Sequence, residues 1–309
     1  MKTGSKNNLT KAQARLLFAS EIIWCDRATD KEAAFLARQL VQATLPHKNP
    51  GNVPLWKRTN GNLTLAIQPG MNIATGETYG YPYGTIPRLL LFWMTTEAIR
   101  TKSRRLELGH SLSRFMLDLG LSPTTGGGKR SDATRLKSQM DRLFRAHISF
   151  EATFLKDGRK GEGRRDMLVT EETLLWWDHR NPRQDTLWRS WIELGEKFYH
   201  AIISAPVPVD IRALKALKRS PLALDLYAWL TYEAYRASKS KQSRFVSWEL
   251  LHQQFGAEYR GEKAVTNFQQ AVRGALRKIT VVYPDLVLGH KRGGIEVLPS
   301  SPPAITSRA

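Results

Sequence analysis

Two stretches of the chain carry basic and amide side chains at helical spacing, a pattern that suits contact with nucleic acid. In the first, the spacing predicts a helix from Asp132 to His147 with apolar residues on one face. The opposite face holds Ser131, Arg135, Ser138, Arg142 and Arg145. Arginine is suited to guanine edges and to phosphates. The face carries no carboxylate, whereas a merely solvated face usually mixes both signs, so a DNA-reading helix is favoured over a plain surface helix.

The second stretch runs from Lys263 to Ile279 and has the same character. Its predicted apolar face is made by Val265, Phe268, Val272, Ala275, Leu276 and Ile279. Its polar face is made by Lys263, Thr266, Asn267, Gln270, Arg273, Arg277 and Lys278. Asn, Gln and Arg can pair bidentately with base edges, and the outlying lysines suit phosphates. The alternative is a polar face that is simply solvated. Because the same pattern of basic and amide residues occurs in both stretches, DNA binding is favoured.

Basic segments flank both helices and are predicted to contact the phosphate backbone. Lys129 and Arg130 end the segment TTGGGKRS, where we expect Asp132 to cap the first helix. After the first helix a hairpin is predicted, with a basic tip that includes Lys156, Arg159, Lys160, Arg164 and Arg165. After the second helix, a shorter hairpin carries Lys291 and Arg292. The segment TTGGGKRS is not a P-loop, because Pro123 stands where the first glycine belongs and Arg130 where Ser or Thr belongs.

The elements that position these residues are predicted twice. From residue 106, a short strand, a helix, a Gly-rich turn, the first polar helix and the hairpin follow in the order of a winged helix-turn-helix. The segment LLFWMTTEAIR before it has a counterpart in LYAWLTYEAYR, where Trp229 corresponds to Trp93 and Glu233 to Glu97. We therefore predict a helix-rich α+β fold of two tandem winged helix-turn-helix domains related by internal duplication.

Three segments are predicted along the chain. Residues 1–205 form the N-terminal winged-helix domain, with an extension that is helical through residues 10–45 and then a hairpin turning at Asn60-Gly61. Prolines 206 and 208 mark the joint, because proline stops a helix and favours extended chain. Residues 206–298 form the C-terminal winged-helix domain, and residues 299–309 are expected to be a disordered tail.

Composition narrows the class of partner. The 309 residues carry a formal net charge of +19, so a polyanion is the expected partner. No apolar run reaches the length of about 18 residues that a membrane span needs, and no membrane contact is expected. The single cysteine, Cys25, suits a reducing cytoplasm. The histidines lack metal-site spacing and the carboxylates form no acidic cluster, so we expect a binding protein without metal, cofactor or enzymatic activity.

Three long segments carry a family resemblance: YGYPYGTIPRLLLFWMTTEAIRT, LSPTTGGGKRSDATRLKSQMDRLF and PVPVDIRALKALKRSPLALDLYAWLTY. Through them the chain resembles the plasmid-encoded RepA replication initiators of Gram-negative bacteria. The resemblance implies binding to short direct repeats (iterons) in double-stranded DNA of a plasmid origin. It also implies opening of adjacent AT-rich DNA and recruitment of the host initiator and the replicative helicase. Relatives are built from two winged-helix domains and act as monomers at iterons or as repressing homodimers.

Two questions stay open at this level. A dimeric winged-helix repressor that binds an inverted repeat, including one in front of its own gene, would share every feature named above. The resemblance also implies that the C-terminal unit makes the main base contacts, whereas the more basic sequence, GGGKRSDATR, lies in the first unit. We predict that both helices contact DNA.

Overall fold

The structure is a computed structural model with side chains. It describes residues 10–124, 128, 131–157, 159–177, 182–184, 189–289 and 291–304. The fold is a mixed α+β arrangement of helices and four small antiparallel sheets in this part of the chain.

The first eleven elements, from the N-terminus, are α1 (Lys11–Cys25), β1 (Ala33–Ala37), α2 (Arg38–Gln42), β2 (Trp56–Asn60), β3 (Leu63–Gln68), α3 (Thr85–Thr101), β4 (Arg105–Gly109), α4 (Leu112–Asp118), α5 (Asp132–Phe144), β5 (His147–Lys156) and β6 (Arg159–Leu168). The remaining elements are β7 (Thr170–Leu174), β8 (Ser190–Leu194), α6 (Glu196–Ile203), β9 (Pro206–Asp210), α7 (Ile211–Leu217), α8 (Pro221–Ser240), β10 (Arg244–Ser247), α9 (Trp248–Phe255), α10 (Ala264–Val282), β11 (Leu288–Gly289) and β12 (Gly294–Val297).

The predicted order of elements is present in both halves. A long helix, a strand, a short helix, a polar helix and a hairpin follow one another from α3 to β6 and again from α8 to β12. Local details repeat as well. Trp93 of α3 meets the Phe115 ring edge-on at 4.9 Å between centroids, and Trp229 of α8 meets Phe255 edge-on at 5.9 Å. Both long helices end at a lysine in the left-handed conformation, each with φ of 53°.

The sheets correct the expected pairing of the first hairpin. In the second half, the strand order is β10-β12-β11, so the strand that follows the long helix pairs with the hairpin. In the first half, β4 pairs with β8 in the order β4-β8-β7, while the hairpin β5-β6 joins β2 and β3. In the first half, β7-β8 therefore occupies the position in the sheet that hairpin β11-β12 occupies in the second half. The long hairpin β5-β6 is an additional element that continues the N-terminal hairpin.

The N-terminal extension is only partly helical. Helix α1 is confirmed, but residues 33–37 form a strand that pairs antiparallel with β9. Both prolines of the predicted joint lie in β9, which forms a two-stranded sheet with β1 and so keeps one edge free of pairing. The expected extended chain is present there, as a paired strand. The hairpin β2-β3 is confirmed, although Asn60 pairs with Leu63 and the turn is therefore one residue later than predicted.

The tail prediction is wrong for residues 299–304. Ser300 is buried, its backbone N–H contacts the Ser238 hydroxyl at 2.9 Å, and its hydroxyl accepts the Val287 N–H at 3.0 Å. Tyr283 donates to the Ser301 carbonyl at 2.8 Å. These contacts hold the segment against α8 and the end of α10. Residues 305–309 lie outside the described residues.

A buried ion-pair network ties the two halves together. Arg88 of α3 donates from Nε and Nη2 to the Asp225 carboxylate of α8, at 2.7 and 2.8 Å. His47 lies between Asp225, at 2.8 Å from its Nε2, and Glu258, at 3.4 Å from its Nδ1. Arg58 of β2 reaches Glu258 at 3.3 Å. One continuous apolar core also spans both halves. The division into domains at residue 205 stays a prediction.

The charges in this network perturb one another strongly. Burial would raise the pKa of Glu258, but hydrogen bonding and charge from His47 and the charge of Arg58 outweigh it and lower that pKa to about 2. Burial would likewise raise the pKa of Asp225, but Arg88 and His47 hold it well below its usual range. Burial lowers the pKa of Arg58 to about 10. Both carboxylates and the Arg58 guanidinium are therefore charged near neutral pH.

Candidate nucleic-acid interface

Helix α5 presents a smaller polar surface than its sequence indicates. Its N-cap is Ser131, whose side chain accepts the Thr134 N–H, so Ser131 is buried and Asp132 is not the cap. Arg135 and Ser138 are exposed as predicted. The face also has carboxylates beside it, because Asp132 pairs with Arg135 at 3.3 Å and Asp141 with Arg145 at 2.8 Å. The exposed part of the face is its N-terminal half.

The C-terminal half of that face is covered by the tyrosine-rich loop, residues 69–84. Arg142 donates to the Tyr81 carbonyl at 3.2 Å and lies 5.3 Å from the centre of the Tyr83 ring. Arg145 lies 4.7 Å from the centre of the Tyr79 ring. The loop and its tyrosines therefore pack on this helix. Two arginines predicted to face DNA are held by the protein itself.

A glycine lets the loop come this close. A Cβ on Gly70 would lie 2.3 Å from the Arg145 carbonyl oxygen, a distance that any side chain would have to relieve by moving the backbone. The buried amide of Gln139 accepts the Tyr83 N–H at 2.9 Å and fixes the other end of the loop. The loop and the C-terminal half of α5 thus form one packed unit.

We expect Arg142→Ala and Arg135→Ala to separate stability from binding. Arg142→Ala removes a hydrogen bond and a cation–π contact and should lower the free energy of unfolding by about 1–2 kcal/mol, with little change in DNA affinity. Arg135→Ala removes one surface ion pair and should change stability by less than about 0.5 kcal/mol. Thermal unfolding and fluorescence anisotropy with duplex DNA measure the two effects. Equal loss of DNA binding in both variants would contradict this division.

Helix α10 presents the predicted face more fully. Lys263, Asn267, Gln270, Arg273, Arg277 and Lys278 are all exposed. The buried face consists of Phe268, Val272, Ala275, Ile279 and Val282, whereas Val265 is 39% exposed and does not belong to the core. Helix α10 contains no acidic residue, and no ion pair to its side chains occurs within the described residues. Arg273 lies 5.8 Å from the Trp248 ring centre.

Both hairpins present exposed basic residues at or near their tips. Arg159 and Lys160 begin β6 and are exposed, as is Arg165. Arg164 is partly neutralised by Asp166, whose carboxylate oxygens lie 3.0 Å from its Nε. On the second hairpin Lys291 and Arg292 are exposed, with the Lys291 Nζ 4.9 Å from the Phe245 ring centre.

Two of the predicted DNA-contacting residues lie outside the described part of the chain, and one exposed lysine of α5 was not predicted. Lys129 and Arg130 lie outside the described residues. Lys137 is exposed on α5 between Arg135 and Ser138. At about 100° per residue, Lys137 lies at the edge of the polar face next to the apolar Phe144, and it therefore falls outside the set predicted there.

No other chemistry is evident in the described part of the chain. Its His, Cys, Asp and Glu residues form no group of three or more that could hold a metal ion. None of its helices combines the length and apolarity that a membrane span requires. The absence of enzymatic activity stays a prediction.

Comparison with known proteins identifies the family. The family model described as "Plasmid encoded RepA protein" matches residues 81–250. The chain belongs to this family. The resemblance inferred from the sequence is confirmed. The matched range begins in the tyrosine loop before α3 and ends in α9, so in this RepA-family chain α5 lies inside it and α10 lies beyond it.

Solved structures give weaker similarity. A crystal structure of selenomethionine derivatives of domains 2 and 3 of RctB shares 10% identity with this RepA-family chain, at a TM-score of 0.46. It covers 82% of this chain and 94% of that one. A second structure of RctB domains 2–3 has 10% identity and a TM-score of 0.38, and covers 84% and 94%. No curated protein matches the sequence.

Proposed function

We propose that this protein initiates plasmid replication in the cytoplasm by binding double-stranded origin DNA with two winged-helix units. The first unit places α5 and the second places α10 against the major groove. Direct repeats of the iteron type would be the target. Bound protein would help to open adjacent DNA and recruit the host initiator and the replicative helicase, as the family resemblance implies.

The exposed face of α10 is the observation that carries the proposal. Amide and guanidinium groups cover its N-terminal half, at Asn267, Gln270 and Arg273, and these groups pair with adenine and guanine edges. Recognition helices contact bases mainly with their N-terminal residues. The same half of α10 is therefore the best candidate for base reading.

The winged-helix description is supported by the strand order of both halves. In each, the strand before the short helix and the polar helix pairs with the last strand of the unit, giving β4-β8-β7 and β10-β12-β11. On this view β7-β8 is the wing of the first unit, and β5-β6 is an inserted basic hairpin that reaches additional backbone. Internal duplication would account for the repeated tryptophan–phenylalanine contact and helix ends.

Fluorescence-anisotropy titrations test the proposal. Duplex DNA flanking the protein's own gene should bind much more tightly than a scrambled duplex of equal length, at both about 50 and about 200 mM salt. The ratio of the two affinities should change by no more than about a factor of ten between the two salt concentrations. Equal affinity for both duplexes, with loss of both at the higher salt, would contradict sequence-specific reading.

Footprinting then separates initiation from repression. Protected direct repeats spaced by about one helical turn, 34–36 Å, support an initiator. A protected palindrome bound only by a homodimer supports the repressor instead. A single protein that protects both kinds of site would combine the two functions.

A further inference from the structure

Two neighbouring cavities join α5 to α10 along one side of the molecule. One, of about 690 Å³, is lined in part by Arg277 and Lys278 of α10. The other, of about 890 Å³, is lined in part by Asp132 and Arg135 of α5. Both are also lined by Arg15, Lys218 and Arg219. The shared residues make the two cavities parts of a single groove, which we call the basic groove.

The basic groove contains many cations and few anions. Lys215 adds to the cations already named, and Arg15, Lys215 and Arg219 are all exposed. Among the described residues that line it, the carboxylates are Glu258 and Asp132. Glu258 is taken by Arg58 and His47 in the buried network, and Asp132 pairs with Arg135. The cations of the groove thus repel one another without a matching anion.

The pKa of Lys218 reflects both burial and this repulsion. Burial lowers the pKa of its ammonium group, and the charges of Arg15, Arg219 and Lys215 lower it further, with Asp132 acting in the opposite sense. Its Nζ donates to the carbonyl of Gly120, just after the end of α4. A chain of phosphates in the groove would relieve the repulsion, since clefts lined by charge of one sign concentrate counter-ions.

Helix α10 has room for a backbone to approach at this point. Gly274 lines the groove, and a Cβ built on it would have no atom within 4 Å. Gly274 lies one turn before Arg277 and Lys278, which line the same cavity. The C-terminal half of α10 therefore faces the groove, while its N-terminal half presents Asn267 and Gln270.

We propose that the basic groove binds one sugar–phosphate strand of duplex DNA where it passes from the site of α5 to the site of α10. The inference rests on the proposed function and adds a third contact region to it. Arg15 of the N-terminal helix and Arg219 of the α7–α8 turn contact phosphates there. Since such contacts fix register, the groove sets the spacing between the two bound segments.

The test compares charge-neutralised variants with a matched control. Arg15→Gln with Arg219→Gln removes two groove cations. Arg27→Gln with Lys239→Gln removes two exposed cations elsewhere: Arg27 lies just beyond the far end of α1, and Lys239 lies about 27 Å along α8 from its first residue, at about 1.5 Å per residue. Each protein is titrated with a 30-base-pair duplex of random sequence and with the gene-flanking duplex, over a range of salt.

For the groove variant we expect the slope of log affinity against log salt to fall in magnitude by about two units, with the ratio of specific to random binding unchanged. The control variant should keep the slope of the wild type. Equal slopes for groove and control variants would overturn the groove assignment while leaving the proposed function standing. Failure of the wild type to bind either duplex would overturn both.

A second pair of variants tests whether the DNA strand passes Gly274 in the basic groove. Gly274→Glu places a carboxylate on the floor of the groove, and Gly274→Gln places a neutral side chain of the same size there. The Glu variant should bind the random duplex more weakly than the Gln variant by about fivefold at low salt, because only it repels phosphate. Equal affinity of the two variants would show that no phosphate passes Gly274.

Discussion

Replacing Arg88 by alanine should lower the free energy of unfolding by about 3–5 kcal/mol, the typical cost of leaving one partner of a buried ion pair unpaired. All the polar hydrogens of its guanidinium are directed at acceptors: the Asp225 carboxylate and the carbonyls of Leu45, Pro46 and Gly84. The variant would leave a buried carboxylate against His47 alone. Urea unfolding followed by tryptophan fluorescence measures the loss.

The loss should depend on pH in a defined direction. The pKa of Asp225 is lowered in the folded protein, so its contribution to stability is present above the unfolded carboxyl pKa of about 4 and is lost progressively as pH falls from there through the folded pKa. The difference between wild type and Arg88→Ala should therefore be largest near pH 7 and shrink toward pH 3. A difference that stays constant over this range would show that the lost interaction is not the ion pair.

Two further variants serve as controls. Arg114→Ala removes an exposed arginine that lies 4.0 Å from Asp118, and it should change stability by less than about 0.5 kcal/mol. Arg88→Met combined with Asp225→Leu removes both charges and should recover part of the stability that Arg88→Ala loses. Recovery should be incomplete, because the three carbonyls still lose their donor.

The two polar helices illustrate what local pattern can predict. The α5 helix was expected over residues 132–147 and is observed over Asp132–Phe144, because its apolar residues recur with helical period in every turn. The face of α10 is also as expected apart from Val265. In both helices, the spacing of apolar residues a few positions apart is sufficient to predict which face is buried.

The partners of those helices depend on distant residues and could not be predicted in the same way. Arg142 and Arg145 are contacted by a loop some sixty residues earlier, through the approach that Gly70 permits. Hairpin β5-β6 pairs with β3 although β4 is nearer in sequence. Residues 33–37 read as helix in isolation and become a strand because β9 supplies the partner. Each of these three differences arises from a long-range contact.

The second large effect is expected on α10. Asn267→Ala with Arg273→Ala should weaken binding to the specific duplex by about 1–3 kcal/mol for each residue that reads a base. Binding to a random duplex should change far less, because these residues lie in the half of α10 away from the basic groove. Specificity should therefore collapse while the salt slope changes by no more than about one unit, the contribution of one lost cation.

This pattern is opposite to the one expected for Arg15→Gln with Arg219→Gln, in which the slope falls and specificity is kept. Thr280→Ala supplies the control on the same helix, since Thr280 is exposed near its C-terminal end and its hydroxyl reaches only the Arg277 carbonyl among the described residues. If the two double variants gave the same response, the separation of α10 into a base-reading half and a phosphate-contacting half would be wrong. If Asn267→Ala with Arg273→Ala left specificity intact, α5 and the hairpins would have to read the sequence, and α10 would serve only to hold the DNA.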